Sequence, residues 1–361
     1  MKKENRFILE LCKGEFANTT RLSELLETHM DFPYILGHLL YNRIGAIAYY
    51  VLNKAQLLQK VNREFRNTLK VVYENDSIKA TSFIKALTTM FSICCECEFP
   101  YAFLKGAYLV DIYPKGLRTS NDIDILIKPG NITEFANKLK KAGFIQGNIK
   151  NELIIPANRT EIISSRMNRG ETIPFIKEVN LPNMKYLEID VNFSLGFRPG
   201  LDENVVEKFL SNTQPLIINR IETLNKTDFL IHLCAHLYKE ATTMHWVAME
   251  RDISLYKYCD IYLFLYKFMN EQFAKKFIER VCCIGLNKEC YYALYYAKAL
   301  FEIENKYLDK VLKDIEPIDK AFMNQVIEPQ TSKAYSFDMS YTEWVFCNYR
   351  KEKLYETRNV K

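Results

Sequence analysis

The triplet Asp122-Ile123-Asp124 is the first place where residue type and spacing suggest chemistry. Side chains alternate between the faces of a strand, so Asp122 and Asp124 share one face while Ile123, Ile125 and Ile127 share the other. With ~3.3 Å rise per residue the two carboxylates stand about 7 Å apart. Like charges so placed repel unless a cation lies between them. Mg²⁺ suits the position, because it takes oxygen ligands, keeps some waters, and is held by one or two carboxylates together with substrate phosphates. The triplet alone is weak. With 44 acidic residues in 361, random placement gives roughly five acid-x-acid triplets, and a solvated edge strand would look the same.

The surroundings add weight. Lys105-Gly106 follows the apolar run Tyr101-Ala102-Phe103-Leu104 and precedes a short helix, Ala107 to Tyr113, stopped by Pro114. Backbone N–H groups at such a strand-to-helix turn can hold phosphate oxygens. Gly106 allows close backbone approach and Lys105 adds charge. Arg118 can offer a guanidinium fork to a polyphosphate. Further on, Tyr186 to Asn192 repeats the alternation: Leu187, Ile189, Val191 and Phe193 face one way, and Glu188, Asp190 and Asn192 the other. If that strand lies beside the first with polar sides matched, a third carboxylate joins the site, either Glu188 or Asp190.

The elements that must position these residues fall into three expected segments. Residues 1–98 read as helices, with apolar residues at three- and four-residue spacing until Glu98-Phe99-Pro100 breaks the pattern. Residues 99–201 read strand, helix, strand, helix, then a hairpin: Asp122 to Ile127 ends before Lys128-Pro129-Gly130, Ile132 to Ala142 is an amphipathic helix with Gly143 at its C-cap, and Leu181-Pro182-Asn183 turns between the last two strands. Residues 202–361 read as helical again, ending in a charged, frayed tail, RKEKLYETRNVK. Gly (12) and Pro (11) are scarce for 361 residues, which argues against sandwiches, barrels and propellers. The fold class is therefore α+β, a small mixed sheet between helical flanks.

Other features exclude more than they suggest. A net charge of +5 does not by itself imply nucleic acid. The 23 Tyr and 23 Phe read as core filling. Ten cysteines at irregular spacing do not make a disulfide framework, and Cys94-Cys95-x-Cys97 lacks the second ligand pair of a zinc site. His232 and His236 share a helix face, but without the Glu of a metalloprotease motif they read as structural. No secretory signal and no membrane span is expected, which points to a cytoplasmic protein.

Taken together, Leu104-Lys105-Gly106, Tyr113-Pro114, Arg118 and Asp122-Ile123-Asp124-Ile125-Leu126 resemble the pattern of the uncharacterised nucleotidyltransferase family within the polymerase-beta-like superfamily. Lys105-Gly106 stands where the wider superfamily has Gly-Ser. Glu188-Ile189-Asp190 stands where related chains have an acid, Leu and His, so Glu188 matches the acid and Asp190 replaces the usual His; the resemblance favours Glu188 as the third carboxylate, with Asp190 close behind. Weaker similarity extends to Leu230 to His236 and to Cys259-Asp260-Ile261, so the likeness covers about residues 100 to 265.

The resemblance implies a polymerase-beta-like core that transfers a nucleoside monophosphate from an NTP such as ATP to an acceptor and releases pyrophosphate. Asp122, Asp124 and Glu188 or Asp190 would hold two Mg²⁺ ions, while Lys105, Gly106 and Arg118 would hold phosphates. The acceptor is open: a small molecule, a peptide or protein hydroxyl, or an RNA end. Two rivals remain. One is a nucleotide-binding or scaffold module of the same fold without turnover, toward which the Asp190-for-His exchange leans. The other is a helical RNA-binding protein, whose affinity would fall steeply with salt.

Overall fold

The computed structural model describes residues 1–196, 202–216 and 221–357, with the backbone alone at Asn168. Packing divides the chain into two compact units, Glu74–Phe229 and Met1–Tyr73 with Leu230–Lys361. These limits differ from segments drawn by sequence character, for a physical reason. The helix Arg63–Cys94 is continuous, but its second part carries Phe83, Leu87 and Met90 into the core of the sheet. Two short strands beyond residue 202 also belong to that sheet.

The sheet unit is mixed α+β. Its strands are β1 (Tyr101–Phe103), β2 (Asp122–Ile127), β3 (Ile145–Lys150), β4 (Leu153–Pro156), β5 (Phe175–Leu181), β6 (Met184–Asn192), β7 (Thr213–Pro215) and β8 (Glu222–Leu224). They lie in the order β4-β3-β5-β6-β2-β1-β8-β7. The pairs β2–β6 and β1–β8 are parallel and the other pairs are antiparallel. The expected strand, helix, strand, helix and hairpin are all present. The helix Ile132–Lys141 ends at Gly143, whose φ of +86° is the left-handed conformation that favours glycine. The β5–β6 hairpin turns at Pro182-Asn183, and the Pro182 carbonyl accepts a hydrogen bond from Ser82 Oγ of the long helix at 2.6 Å.

Alternation does the sorting. Ile123, Ile125, Ile127, Leu187, Ile189 and Val191 are buried on one face, packed with Phe83, Met90, Phe135 and Leu139 of the covering helices. Each such aliphatic side chain contributes about 1.5–3 kcal/mol. That burial fixes the register, since a slip by one residue would turn the acids inward.

The other unit is mainly helical, with Lys3–Cys12, Phe32–Tyr41, Leu255–Phe268, Glu271–Ile284 and Asn287–Phe301 among its helices. The region after residue 202 is not helical throughout. Besides β7 and β8, a second, three-stranded sheet forms from β9 (Gln325–Glu328), β10 (Lys333–Ser336) and β11 (Tyr355–Thr357). The tail is consequently ordered as far as Thr357, because β11 pairs with β10 and the Arg350 guanidinium is buried on Asp252. Its last residues, 358–361, lie outside the described residues. Tyr258, Tyr292 and Tyr341 fill the core, with hydroxyls linked to one another. All ten cysteines are thiols rather than disulfides. Among the described residues no helix is long and apolar enough to cross a membrane.

Candidate active site

The parallel register of β2 and β6 sets Asp122 opposite Glu188 and Asp124 opposite Asp190. Opposite residues in a strand pair share a face and neighbouring strands lie about 4.8 Å apart. Four acids from two distant segments therefore occupy two adjacent rows on the face opposite the isoleucines. Asn192, two residues past Asp190, lies on the same face, and its Nδ2 donates to Asp124 Oδ1 at 3.3 Å.

A fifth acid comes from a segment that sequence reading left unassigned. Glu171 bridges to Asn192, while Phe175 pairs with Ile189. From 171 to 175 is four steps and from 189 to 192 is three, so one extra residue is bulged out between them. Such a bulge re-aims a side chain. The charge of Glu171 bears on both Asp124 and Asp190. Its only signal in the sequence was an acid just after a glycine, Gly170-Glu171.

Lys105 supplies the positive charge. Its Nζ is 2.7 Å from Asp124 Oδ1, with the lysine side chain 22% exposed and that of Asp124 8%. The Leu104 N–H donates to the Asp124 carbonyl at 2.9 Å, so the chain leaves β1 held against β2 and turns at Lys105 into the helix Gly106–Ile112. Lys105 has φ +41° and ψ −109°, a conformation rarely adopted by an L-residue and costing about 1–3 kcal/mol. The positive φ falls on Lys105, one residue before the glycine. Gly106 makes the close backbone approach that the sequence suggested, here to the loop before β2: a Cβ there would stand 3.1 Å from Ser120 Cβ, tighter than ordinary contact. Ser120 Oγ in turn bonds Asp122 Oδ1. Arg118 lies on the loop into β2, its Nη1 donating to the Thr119 carbonyl at 2.7 Å.

Among the described residues Lys105, Asp122, Asp124, Glu171, Glu188 and Asp190, the charges do not balance. Burial raises the carboxyl of Asp190 well above its ordinary range, and Asp124 and Asp122 push it further. Burial likewise raises Asp124, despite the opposing pull of Lys105, and raises Glu188, helped by Asp122. Burial disfavours the Lys105 ammonium, but Asp124, then Asp122 and Asp190, outweigh it and hold the proton more firmly than in an ordinary lysine.

The donor set suits a hard divalent cation such as Mg²⁺: carboxylate oxygens only, from adjacent strands, with more negative charge than one lysine neutralises. As the side chains stand, no three His, Cys, Asp or Glu among the described residues enclose a metal position. His232 and His236 belong to the helical unit, where His236 Nε2 lies 3.5 Å from Glu240 Oε1.

The family model for uncharacterised nucleotidyltransferases matches residues 29–302. The chain belongs to that family. The match takes in every residue of the acidic face and reaches well beyond the stretch from 100 to 265 that the motifs cover. No curated protein and no solved structure matches the chain. Membership in the uncharacterised nucleotidyltransferase family implies a nucleotide substrate and supports nucleotidyl transfer as the general activity.

Proposed function

We propose that the protein transfers a nucleoside monophosphate from a Mg²⁺-bound NTP to a hydroxyl acceptor and releases pyrophosphate. The observation that carries this reading is the register of β2 on β6, which lines Asp122 and Asp124 against Glu188 and Asp190 with an excess of negative charge.

Asp122 and Asp124 would hold the metal, with Asp190 sharing it. Asp190 is preferred to Glu188 for the shared position because its carboxyl feels both Asp122 and Asp124, while that of Glu188 feels Asp122. Bound there, Mg²⁺ supplies orientation of the triphosphate and neutralises charge growing on the leaving pyrophosphate. The acceptor oxygen forms a bond to the α-phosphorus as the bond from that phosphorus to the bridging oxygen of the pyrophosphate breaks. Glu188 or Asp190 takes the acceptor's proton, a task suited to a carboxyl raised above its ordinary range. Arg118 and the backbone at Gly106 take phosphate oxygens. No side chain forms a covalent bond to the nucleotide, so positioning and charge carry the rate.

The test is mass spectrometry of candidate acceptors, small molecules, peptides and RNA ends, after incubation with mixed NTPs and Mg²⁺. The expected result is an acceptor heavier by one nucleoside monophosphate residue, formed by the wild-type protein and not by Asp124→Asn. Equal transfer by Asp124→Asn would contradict the reading. Tight NTP binding by calorimetry, with no acceptor modified and no pyrophosphate released, would favour a nucleotide-binding module without turnover.

A further inference from the structure

We propose that Lys105 is a built-in counter-ion for the carboxylate cluster, neutralising Asp124 before a divalent cation binds and passing to the phosphates of the nucleotide when that cation arrives. The inference rests on the reading of this face as a metal–NTP site and says how loading of the site is controlled.

Three observations carry it. First, the Lys105 ammonium is bonded to Asp124 Oδ1 at 2.7 Å, amid the carboxylates most suited to a metal. An ammonium at that distance and a divalent ion at a Mg–O distance of about 2.1 Å would repel each other strongly on one carboxylate, so binding of one must loosen the other. Second, the backbone is pinned on both sides of Lys105. Leu104 N–H is tied to the Asp124 carbonyl, and the Lys105 carbonyl accepts from Tyr108 N–H at 3.1 Å and Leu109 N–H at 3.0 Å. The strained φ and ψ of Lys105 are held by these bonds on either side. A strained residue persists where its surroundings over-determine it, and such residues cluster at functional sites. Third, the lysine side chain keeps 22% of its surface exposed against 8% for Asp124, so of the pair the lysine is the less enclosed partner and the one to leave the contact. A flexible four-carbon stem allows that movement without moving the backbone.

The consequence is coupling. Metal alone must displace the ammonium from Asp124 with only the neighbouring carboxylates, themselves drawn to the metal, to receive it. Metal with NTP displaces it onto phosphate. Metal and nucleotide therefore strengthen each other's binding, and by linkage the factor is the same in both directions.

The test uses Mn²⁺ in place of Mg²⁺, with bound ion counted by loss of the free-ion EPR signal, with and without NTP. Lys105→Gln keeps a hydrogen-bond donor to Asp124 and removes the charge, Lys105→Met removes both, and Lys105→Arg keeps the charge. Without nucleotide, Lys105→Gln is expected to bind Mn²⁺ about tenfold more tightly than the wild type, and the gain in Mn²⁺ affinity caused by NTP is expected to shrink by a similar factor. Lys105→Arg should stay within about threefold of the wild type, below the usual range of coupling factors. Circular dichroism establishes that each variant is folded, and Lys105→Gln carries the test if Lys105→Met is not. Mn²⁺ binding that Asp124→Asn abolishes but neither Lys105→Gln nor Lys105→Met tightens would overturn the counter-ion role and leave the metal site standing. So would tightening by Lys105→Arg as large as that by Lys105→Gln. No Mn²⁺ binding by wild type or variants, even with NTP, would remove the metal site itself and this inference with it.

Discussion

In the helical unit, Arg350 lies buried against Asp252. Its Nε donates to Asp252 Oδ2 at 2.9 Å, and its Nη2 to Oδ1 at 2.6 Å, while Nη1 reaches the Cys347 carbonyl at 3.0 Å. One positive group meets one negative group in fork geometry, and each is satisfied. On the β2–β6 face Lys105 is bonded to Asp124, Asp122 and Asp190 bear on it, Glu171 and Glu188 lie alongside, and the carboxyls of Asp124, Glu188 and Asp190 are pushed upward. The first cluster is complete as folded and has a structural part, tying the tail to its unit. The second is stabilised only in part by its own residues. An arrangement that weakens the fold in this way makes sense where a ligand supplies the missing charge.

Breaking each cluster should therefore have opposite consequences. Asp124→Asn is expected to lower transfer by about 10³-fold or more, the scale on which loss of a charge-stabilising group is felt. Its fold should be retained, as checked by circular dichroism beside the transfer assay. Asp252→Ala strands a buried guanidinium and should lower the stability of the helical unit by about 3–5 kcal/mol, read as a fall in the urea midpoint. Asp190→Asn removes repulsion rather than a partner. The metal-free protein should gain about 1 kcal/mol in urea denaturation, the scale of one modest change in charge interaction, even as transfer falls. A loss of stability in that variant would erase the contrast between the clusters.

The pH dependence sharpens the comparison. Unfolded carboxyls titrate near pH 4. Those of Asp190, Asp124 and Glu188 titrate higher in the folded protein, so above about pH 4 the folded form retains protons the unfolded chain has released. Metal-free stability should fall as pH rises through that window and level off above the raised values. Mg²⁺ should restore it at the upper end, as measured by urea midpoints at several pH values. The smallest expected effect is at Gly106. A Cβ at 3.1 Å from Ser120 requires a shift of a few tenths of an ångström, so Gly106→Ala should cost about 1 kcal/mol and disturb Asp122 through Ser120.

The sequence made the two acidic strands legible because each alternates strictly over its length, and the hairpin legible because Pro182-Asn183 interrupts two such runs. It did not make their pairing legible. That Asp122 meets Glu188 depends on helices burying the isoleucine face, which no local pattern encodes. Glu171 was missed because a bulged segment around Thr172-Ile173-Pro174 has no period of two. Lys105 was read for its charge alone, since a positive φ is expected at glycine and here falls on the lysine before it. Strands of three or four residues, such as β7 to β11, are too short to stand out within a chain otherwise rich in helical spacing.

The central claim is that acids from β2 and β6 bind one divalent cation together with a nucleotide. Titration of the protein with Mn²⁺ in the presence of NTP tests it most directly. The account predicts saturable binding by the wild type that is lost in both Asp124→Asn and Asp190→Asn, one substitution on each strand. Binding of equal strength in all three proteins would contradict it.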